Sequence, residues 1–479
     1  ASNNTAVGSS ALLANTTGHS NTAVGGSALA SITTGTESVA VGHQALLSNT
    51  TGYHNTAVGR DALKVNTTGI SNTAIGRYCM GANTIASNNT AVGYNCLDSN
   101  TEGNRNTAVG DDALGSNTTA SNNTGLGYHA LSQNTTGTNN TAVGQEALTT
   151  NTTGSQNTAL GNQSLYYLTT GSSNVAIGYD ALQDCTTGSG NVSLGAYTLD
   201  QNSTGDHNTA CGHNSLGDNT TGDNNVAVGY NALATTTTGN GNVTLGAYAN
   251  DAGNVAGTVA IGYAALTSNT GNANVAVGES ALYYNTSGTN NIAMGTSALQ
   301  STTTGTTNTG IGSGAGFAVT TGSNNSLLGH GAGRASSPSG NVTTGSNIVC
   351  LGDNSVTDLY CADTSISSSD KRDKTDVTDF TKGLNWVNQL KPVTYRWDKR
   401  TWYDDNTPDG SKKRNKKHIG FLAQDVLAIE GNPTDKNDMF VVNLNEDDTA
   451  YGLKYERLVP VLVNAIKELS AKVAALEAG

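Results

Sequence analysis

The motif Asn-Thr-Ala-Val-Gly, or a close variant, returns every 17 residues from Gly8 to Gly246, then after two steps of 16 at Gly262 and Gly278, then at 17 again through Gly295, Gly312 and Gly329. Those 20 glycines mark 20 copies of one unit, N-T-A-V-G-x-x-A-L-x-x-N-T-T-G-x-x. A short fixed period is the mark of a solenoid, because one such unit cannot bury its apolar face until a neighbour covers it. Thr or Val and then Val, Ile or Leu alternate around Ala, as in Asn174-Val175-Ala176-Ile177-Gly178, and period two means a strand. One strand face is β-branched. The other is Ala and Gly, small enough for a backbone to approach closely.

The remaining slots have physical tasks of their own. The Leu slot, four after the Gly, is filled from Leu12 to Leu233 with only Met80 departing, so stacked coils align a leucine core. The Asn slot runs unbroken from Asn49 to Asn151, and stacked amides can bond to one another and to turn backbone. Thr-Thr-Gly reads as a second turn, with Gly supplying φ > 0. The expectation is a mostly β chain: a parallel β-solenoid (β-roll) of about 20 coils, each with two short strands and two turns. At roughly 4.8 Å per coil it would extend about 95 Å. A coil so thin favours several chains side by side, and a homotrimer is expected.

Composition agrees and excludes several functions. Aromatic residues are 5% and charged residues 12%, so no thick aliphatic core is available. Only Arg60, Lys64, Arg77, Arg105 and Arg334 supply cations before residue 361, which argues against nucleic acid as a partner. No apolar run approaches ~18 residues, so no membrane insertion is expected. The chain begins at Ala1 rather than Met, which reads as a fragment or processed product. Cys79 and Cys96 share one repeat slot a coil apart, compatible with a disulfide or with two small buried side chains in an alanine slot. Cys185, Cys211, Cys350 and Cys361 show no metal-ligand spacing, and neither metal nor cofactor is expected.

The repeat resembles those of phage tail fibres and the Asn-Ser-Val-Ala-Ile-Gly repeats of trimeric autotransporter adhesin heads. That resemblance covers about residues 1–330. Regularity breaks after Gly329, where the next equivalent glycine, Gly352, comes 23 residues on with Pro338 between. The chain divides into a shaft (1–329), an exit coil and neck (330–368) and a terminal domain (369–479).

The terminal domain opens on Ser369-Asp370-Lys371-Arg372-Asp373-Lys374. It continues with Leu390-Lys391-Pro392-Val393-Thr394-Tyr395-Arg396-Trp397 and His418-Ile419-Gly420-Phe421-Leu422-Ala423-Gln424-Asp425, and ends in Tyr455 to Leu469. These four motifs, in this order, resemble the intramolecular chaperone of phage endosialidases, tailspikes and fibres, a self-cleaving peptidase family. The resemblance implies a small α+β chaperone domain with Ser369 as nucleophile, Lys374 as general base, and a single cut between Ser368 and Ser369. His418 either assists this dyad or packs. A serine hydroxyl attacks only when a base takes its proton, and a lysine serves only if burial or a nearby cation lowers its pKa; Lys371 and Arg372 are near in sequence. Leu462, Ile466, Leu469, Val473 and Leu476 are spaced 4, 3, 4, 3, the stripe of a short coiled-coil helix. The run from Lys412 to Lys417 reads as a solvated loop.

The function implied is a structural tail fibre or tailspike of a virion. It would be joined to other tail proteins at its N-terminal side and would attach to a host glycan or protein receptor. A bacterial cell-surface adhesin with the same repeats is the alternative, and a Thr-rich ice-binding solenoid a third, disfavoured because Thr-x-Thr is not the rule. The near-constant coil length leaves no insertion for a glycan-degrading domain. Tyr94, Tyr128, Tyr179, Tyr230 and Tyr263 each follow the repeat glycine and would form one stripe on which sugars stack.

Overall fold

The computed structural model describes residues 2–356, 374–400, 403, 407–444 and 451–478. It comprises two compact units, Ala1–Thr296 and Ser297–Gly479. In the first, 18 three-residue strands, β1 (Thr5–Val7) through β18 (Ile292–Met294), stack in parallel, each of the first 17 pairing with the strand of the next coil. The register steps by one repeat, Thr5 opposite Thr22 and Val243 opposite Val259, so every slot of the sequence becomes a column along the stack.

Each coil has one strand, not two. The x-x-Ala-Leu segment turns instead, with the second x and the Leu in the left-handed region, as at Ser27 (φ 56°) and Leu29 (φ 51°). Left-handed backbone costs an ordinary residue energy, and here inter-coil bonds hold it. Ser27 N donates to Ser9 O at 2.8 Å in the coil before, and Leu29 N donates to Ala45 O at 3.0 Å in the coil after. Sequence periodicity cannot report this, because Ala-Leu fits strand and turn alike.

The strand Ala points inward: Ala23, Ala40, Ala57 and Ala74 are wholly buried, together with the Leu column and Met80. The residues flanking it therefore face out, and Ile75, Val109, Leu160 and Ile177 are exposed. A coil thus closes on its own core within one chain. The thinness of the coil is no reason for chains to pack side by side; the apolar outer face is the feature that bears on it.

Two asparagine columns line the interior. In the expected one, Asn66 Nδ2 donates to Asn49 Oδ1 at 2.9 Å and to Gly69 O at 3.1 Å, and the pattern continues to Asn151. The column stops where the next coil lacks Asn. Asn15 precedes Ile32, Asn151 precedes Leu168 and Asn219 precedes Thr236, and each of these three asparagines keeps a buried Oδ1 without a partner. The second column, the first residue of the motif, was not anticipated. Its Nδ2 closes the coil on a turn carbonyl and its Oδ1 receives the main-chain N–H of the next coil's Asn.

Of the two repeat glycines, only the strand one takes a positive φ. Gly42 lies at φ 136°, and a Cβ there would sit 2.5 Å from Gly59 O and 2.7 Å from Gly59 C. Gly52, in Thr-Thr-Gly, has no positive φ; its Cβ would meet Gly69 O at 2.5 Å. Gly42→Ala is expected to lower the unfolding free energy by about 1–3 kcal/mol from backbone strain alone, with the clash added. Hydrogen exchange at Gly59 and the neighbouring coils measures it.

Cys79 and Cys96 are buried and unbonded to each other, each Sγ set on an inner carbonyl, Ala91 O at 3.2 Å and Ala108 O at 3.1 Å. They fill the alanine slot. The neighbouring Cys96 thiol, then burial, raises the Cys79 thiol pKa.

In the second unit, β19 (Thr309–Ile311), β20 (Ser326–Leu328) and β21 (Val349–Leu351) stack in parallel, and β21 lies in the exit segment. The longer step before β21 is folded back by Ser337, whose hydroxyl donates to Arg334 O at 2.8 Å. Beyond it come helix α1 (Leu384–Val387), hairpin-like pairs β22 (Val393–Tyr395) with β23 (His418–Gly420) and β24 (Val442–Leu444) with β25 (Tyr451–Leu453), helix α2 (Ala423–Glu430) and helix α3 (Leu458–Glu477). Their core is Trp386, Val426, Met439, Val441, Val442, Leu458 and Val461.

Candidate functional site

Ser368 and Ser369, the expected scissile bond and nucleophile, lie outside the described residues, as do Lys371, Arg372 and Cys361. Lys374 is the first residue described after them and is exposed. As a pair, the Ser369–Lys374 dyad therefore falls outside the described residues, and the structure describes the surroundings of His418.

His418 opens β23 opposite Tyr395 in the antiparallel pair with β22. The rings stack at 5.6 Å with an interplanar angle of 22°, and Trp397 meets His418 edge-on at 6.3 Å. Burial, then the neighbouring Tyr455, raises the Tyr395 phenol. Tyr455 closes the other side, its hydroxyl accepting from Phe421 N at 3.1 Å. The His418 ring packs within an aromatic group contributed by three of the four motifs.

Lys399 is a residue that sequence reasoning missed. Among the described residues it is the lysine whose pKa is lowered, by burial first and then by Arg414. Its Nζ lies 5.0 Å from the Trp397 ring and donates to Asn354 O at 3.3 Å. Nothing in the spacing of the basic residues marks it, because burial is set by the fold.

Helix α3 has two faces. Leu458, Val461 and Ala465 are buried in the domain. Leu462, Ile466, Leu469, Val473 and Leu476 are exposed, Ile466 at 63%. Asn464 Nδ2 donates to Phe380 O at 2.6 Å and Glu468 accepts from Leu384 N at 2.9 Å, so the polar residues between the two faces fix the helix on the domain. Among the described residues the heptad stripe therefore lies on the exposed face of the helix. Beside the buried face, Phe380, Lys382, Trp386, Phe440, Arg457 and Val461 line a largely apolar cleft of about 300 Å³.

On the solenoid, Tyr94, Tyr128, Tyr179, Tyr230 and Tyr263 are all exposed, as expected. They share one slot and so one column, but their ring neighbours differ. Tyr94 meets Tyr78 at 6.3 Å and Tyr128 stacks on His129 at 4.0 Å, whereas Tyr179, Tyr230 and Tyr263 belong to a longer run taken up below.

The comparisons accord with this arrangement. Residues 369–434 match the family described as chaperone of endosialidase. No curated protein matches the chain. The chain joins a parallel β-solenoid on a 17-residue repeat to an endosialidase-type chaperone segment, an architecture that fits a phage tailspike. No helix among the described residues is long and apolar enough to cross a membrane.

Proposed function

We propose that this chain is a structural fibre or spike of a bacteriophage tail, homotrimeric in the virion, that serves in attachment to a host cell. Its terminal domain aligns three chains and then cuts itself off between Ser368 and Ser369. The observation that carries the assembly reading is the exposed heptad stripe of α3. Two heptads are marginal alone and become stable when helices share the stripe.

The shaft supplies the reason such a device is needed. Every coil of the first unit presents the same columns at the same rise, so neighbouring chains displaced by one repeat meet nearly identical surfaces. Misregistered assemblies are then almost degenerate with the correct one. A domain that trimerises first sets the register at one end, and coils add from there. Removing that domain afterwards closes the same route to unfolding, which is kinetic stability.

The proposed cut is a single turnover. The Ser369 hydroxyl attacks the carbonyl carbon of Ser368, and its proton passes to Lys374. The amide nitrogen leaves as the new amine of Ser369, and water hydrolyses the resulting ester. Intact mass measurement of the purified protein tests it: fragments of 1–368 and 369–479 are expected, and a full-length mass alone after complete assembly refutes the cut. For assembly, Ile466→Asp with Leu469→Asp should convert the trimer to monomer in sedimentation; a trimer that persists removes α3 from the role.

A further inference from the structure

Six consecutive coils of the first unit each carry one exposed or half-exposed ring just after the strand glycine: Tyr179, Tyr197, His213, Tyr230, Tyr248 and Tyr263. The rings touch in order, with centroids 5.4, 5.6, 5.5, 5.2 and 6.1 Å apart. No other run of the solenoid joins more than two coils this way among the described contacts. Where the ring moves one residue on, at Tyr197 and Tyr248, the vacated place is Ala196 or Ala247, so each coil contributes one ring and room for its neighbour. Main-chain bonds fix the spacing: Tyr197 N donates to Tyr179 O at 3.0 Å and Tyr248 N to Tyr230 O at 2.9 Å. At roughly 4.8 Å per coil the end rings stand about 24 Å apart.

The same coils carry carboxylates without cations. No Lys or Arg lies between Arg105 and Arg334. Asp180, Asp184 and Asp218 all lie within electrostatic reach of Asp200; burial first, then those neighbours, push the Asp200 carboxyl up to about 6. Asp200 Oδ1 is buried without a hydrogen-bond partner. Asp180 raises the Tyr179 phenol, so one carboxylate of the group lies beside the first ring of the ladder.

We infer that this ring ladder binds a linear, non-acidic glycan, its sugars stacked along the rings and acidic sugars disfavoured by the carboxylates of the same coils. The inference rests on the attachment reading above and names the class of receptor. An extended peptide is the weaker fit, because the main-chain N–H groups along the ladder are spent between coils, as at Asn231 N on His213 O at 3.1 Å. Ring faces accept the C–H face of a pyranose, and aromatic stacking is tolerant of which sugar it is. An acidic polymer would meet like charge.

The test is a glycan array probed with the intact protein, carrying neutral hexose oligomers, glucosamine oligomers and glucuronate-bearing oligomers, with host-cell adsorption measured in parallel. Retention of neutral or glucosamine oligomers over acidic ones is expected, and Tyr197→Ala with Tyr230→Ala should weaken it at least tenfold. Asp200→Asn with Asp218→Asn should narrow the discrimination against the acidic oligomers. Binding that is unchanged in the tyrosine variant overturns the ladder while leaving attachment in place. Preference for acidic oligomers, or for a basic peptide control over every glycan, overturns the assignment of ligand. Loss of both cell adsorption and all glycan binding in the wild-type protein overturns attachment itself.

Discussion

Ser369→Ala should remain a single chain of 479 residues through assembly, with no fragment ending at Ser368. Serine acts as a nucleophile only through its hydroxyl, so the alanine variant loses the cut altogether rather than slowing it. Trimer formation should persist, because the α3 stripe is untouched. The choice of base is tested alongside. Lys374 follows Ser369 in the family's pattern, whereas Lys399 is the described lysine whose pKa burial has lowered. Lys374→Met is expected to abolish the cut and Lys399→Met to leave it. The reverse result would move the base to Lys399 and place the scissile segment against Trp397. A Ser369→Ala protein still cut at the same bond would end the dyad reading. Because the uncut trimer keeps its nucleus, it should also unfold faster than the wild-type fibre once heated, and refold more readily on cooling.

Much of the shaft could be read directly because its constraints are columnar. A slot occupied by Leu in coil after coil has to be interior, and the Asn49-to-Asn151 run has to pair amides; both are as the spacing requires. What escaped was whatever depends on backbone sign. Leu29 and Ser27 sit in left-handed geometry that neither residue type advertises, so the spacing alone does not tell one strand per coil from two. The inward Ala followed the same rule: alternation fixes that Ala and Val oppose each other, not which one faces in. Leu supplies the bulk of the core, and a small inward residue, most often Ala, leaves room for it. In the terminal domain the sequence motifs located the aromatic group around His418, while Lys399 gained its environment from Asn354, 45 residues away. The ring ladder was half visible, since Tyr179, Tyr230 and Tyr263 share a slot. Tyr197, His213 and Tyr248 had to be placed by geometry before the row was continuous.

The second asparagine column gives the sharpest stability test. Asn123 Nδ2 donates to Gly137 O at 2.9 Å, and Asn123 Oδ1 accepts from Asn140 N at 2.9 Å; all of it is buried. Asn123→Leu matches the volume and removes both partners, leaving a carbonyl and an amide unpaired inside the stack. Each orphaned group costs about 1–3 kcal/mol, so the variant should lose roughly 2–6 kcal/mol. Asn123→Asp keeps the acceptor for Asn140 N but sets a second oxygen against the Gly137 carbonyl. It should fall between wild type and Leu at low pH, where the carboxyl can donate, and weaken further as pH rises and it ionises. Tyr128→Ser, on the surface of the same coil, should shift stability by about 0.5 kcal/mol or less. The loss should also be local. Coils touch only their neighbours, so hydrogen exchange at Asn140 and Gly137 should accelerate strongly while that at Asn55 and Asn242 changes little. Uniform acceleration along the whole stack would mean that the solenoid opens as one unit, and that the amide columns act on the cooperativity of the fibre rather than on single coils.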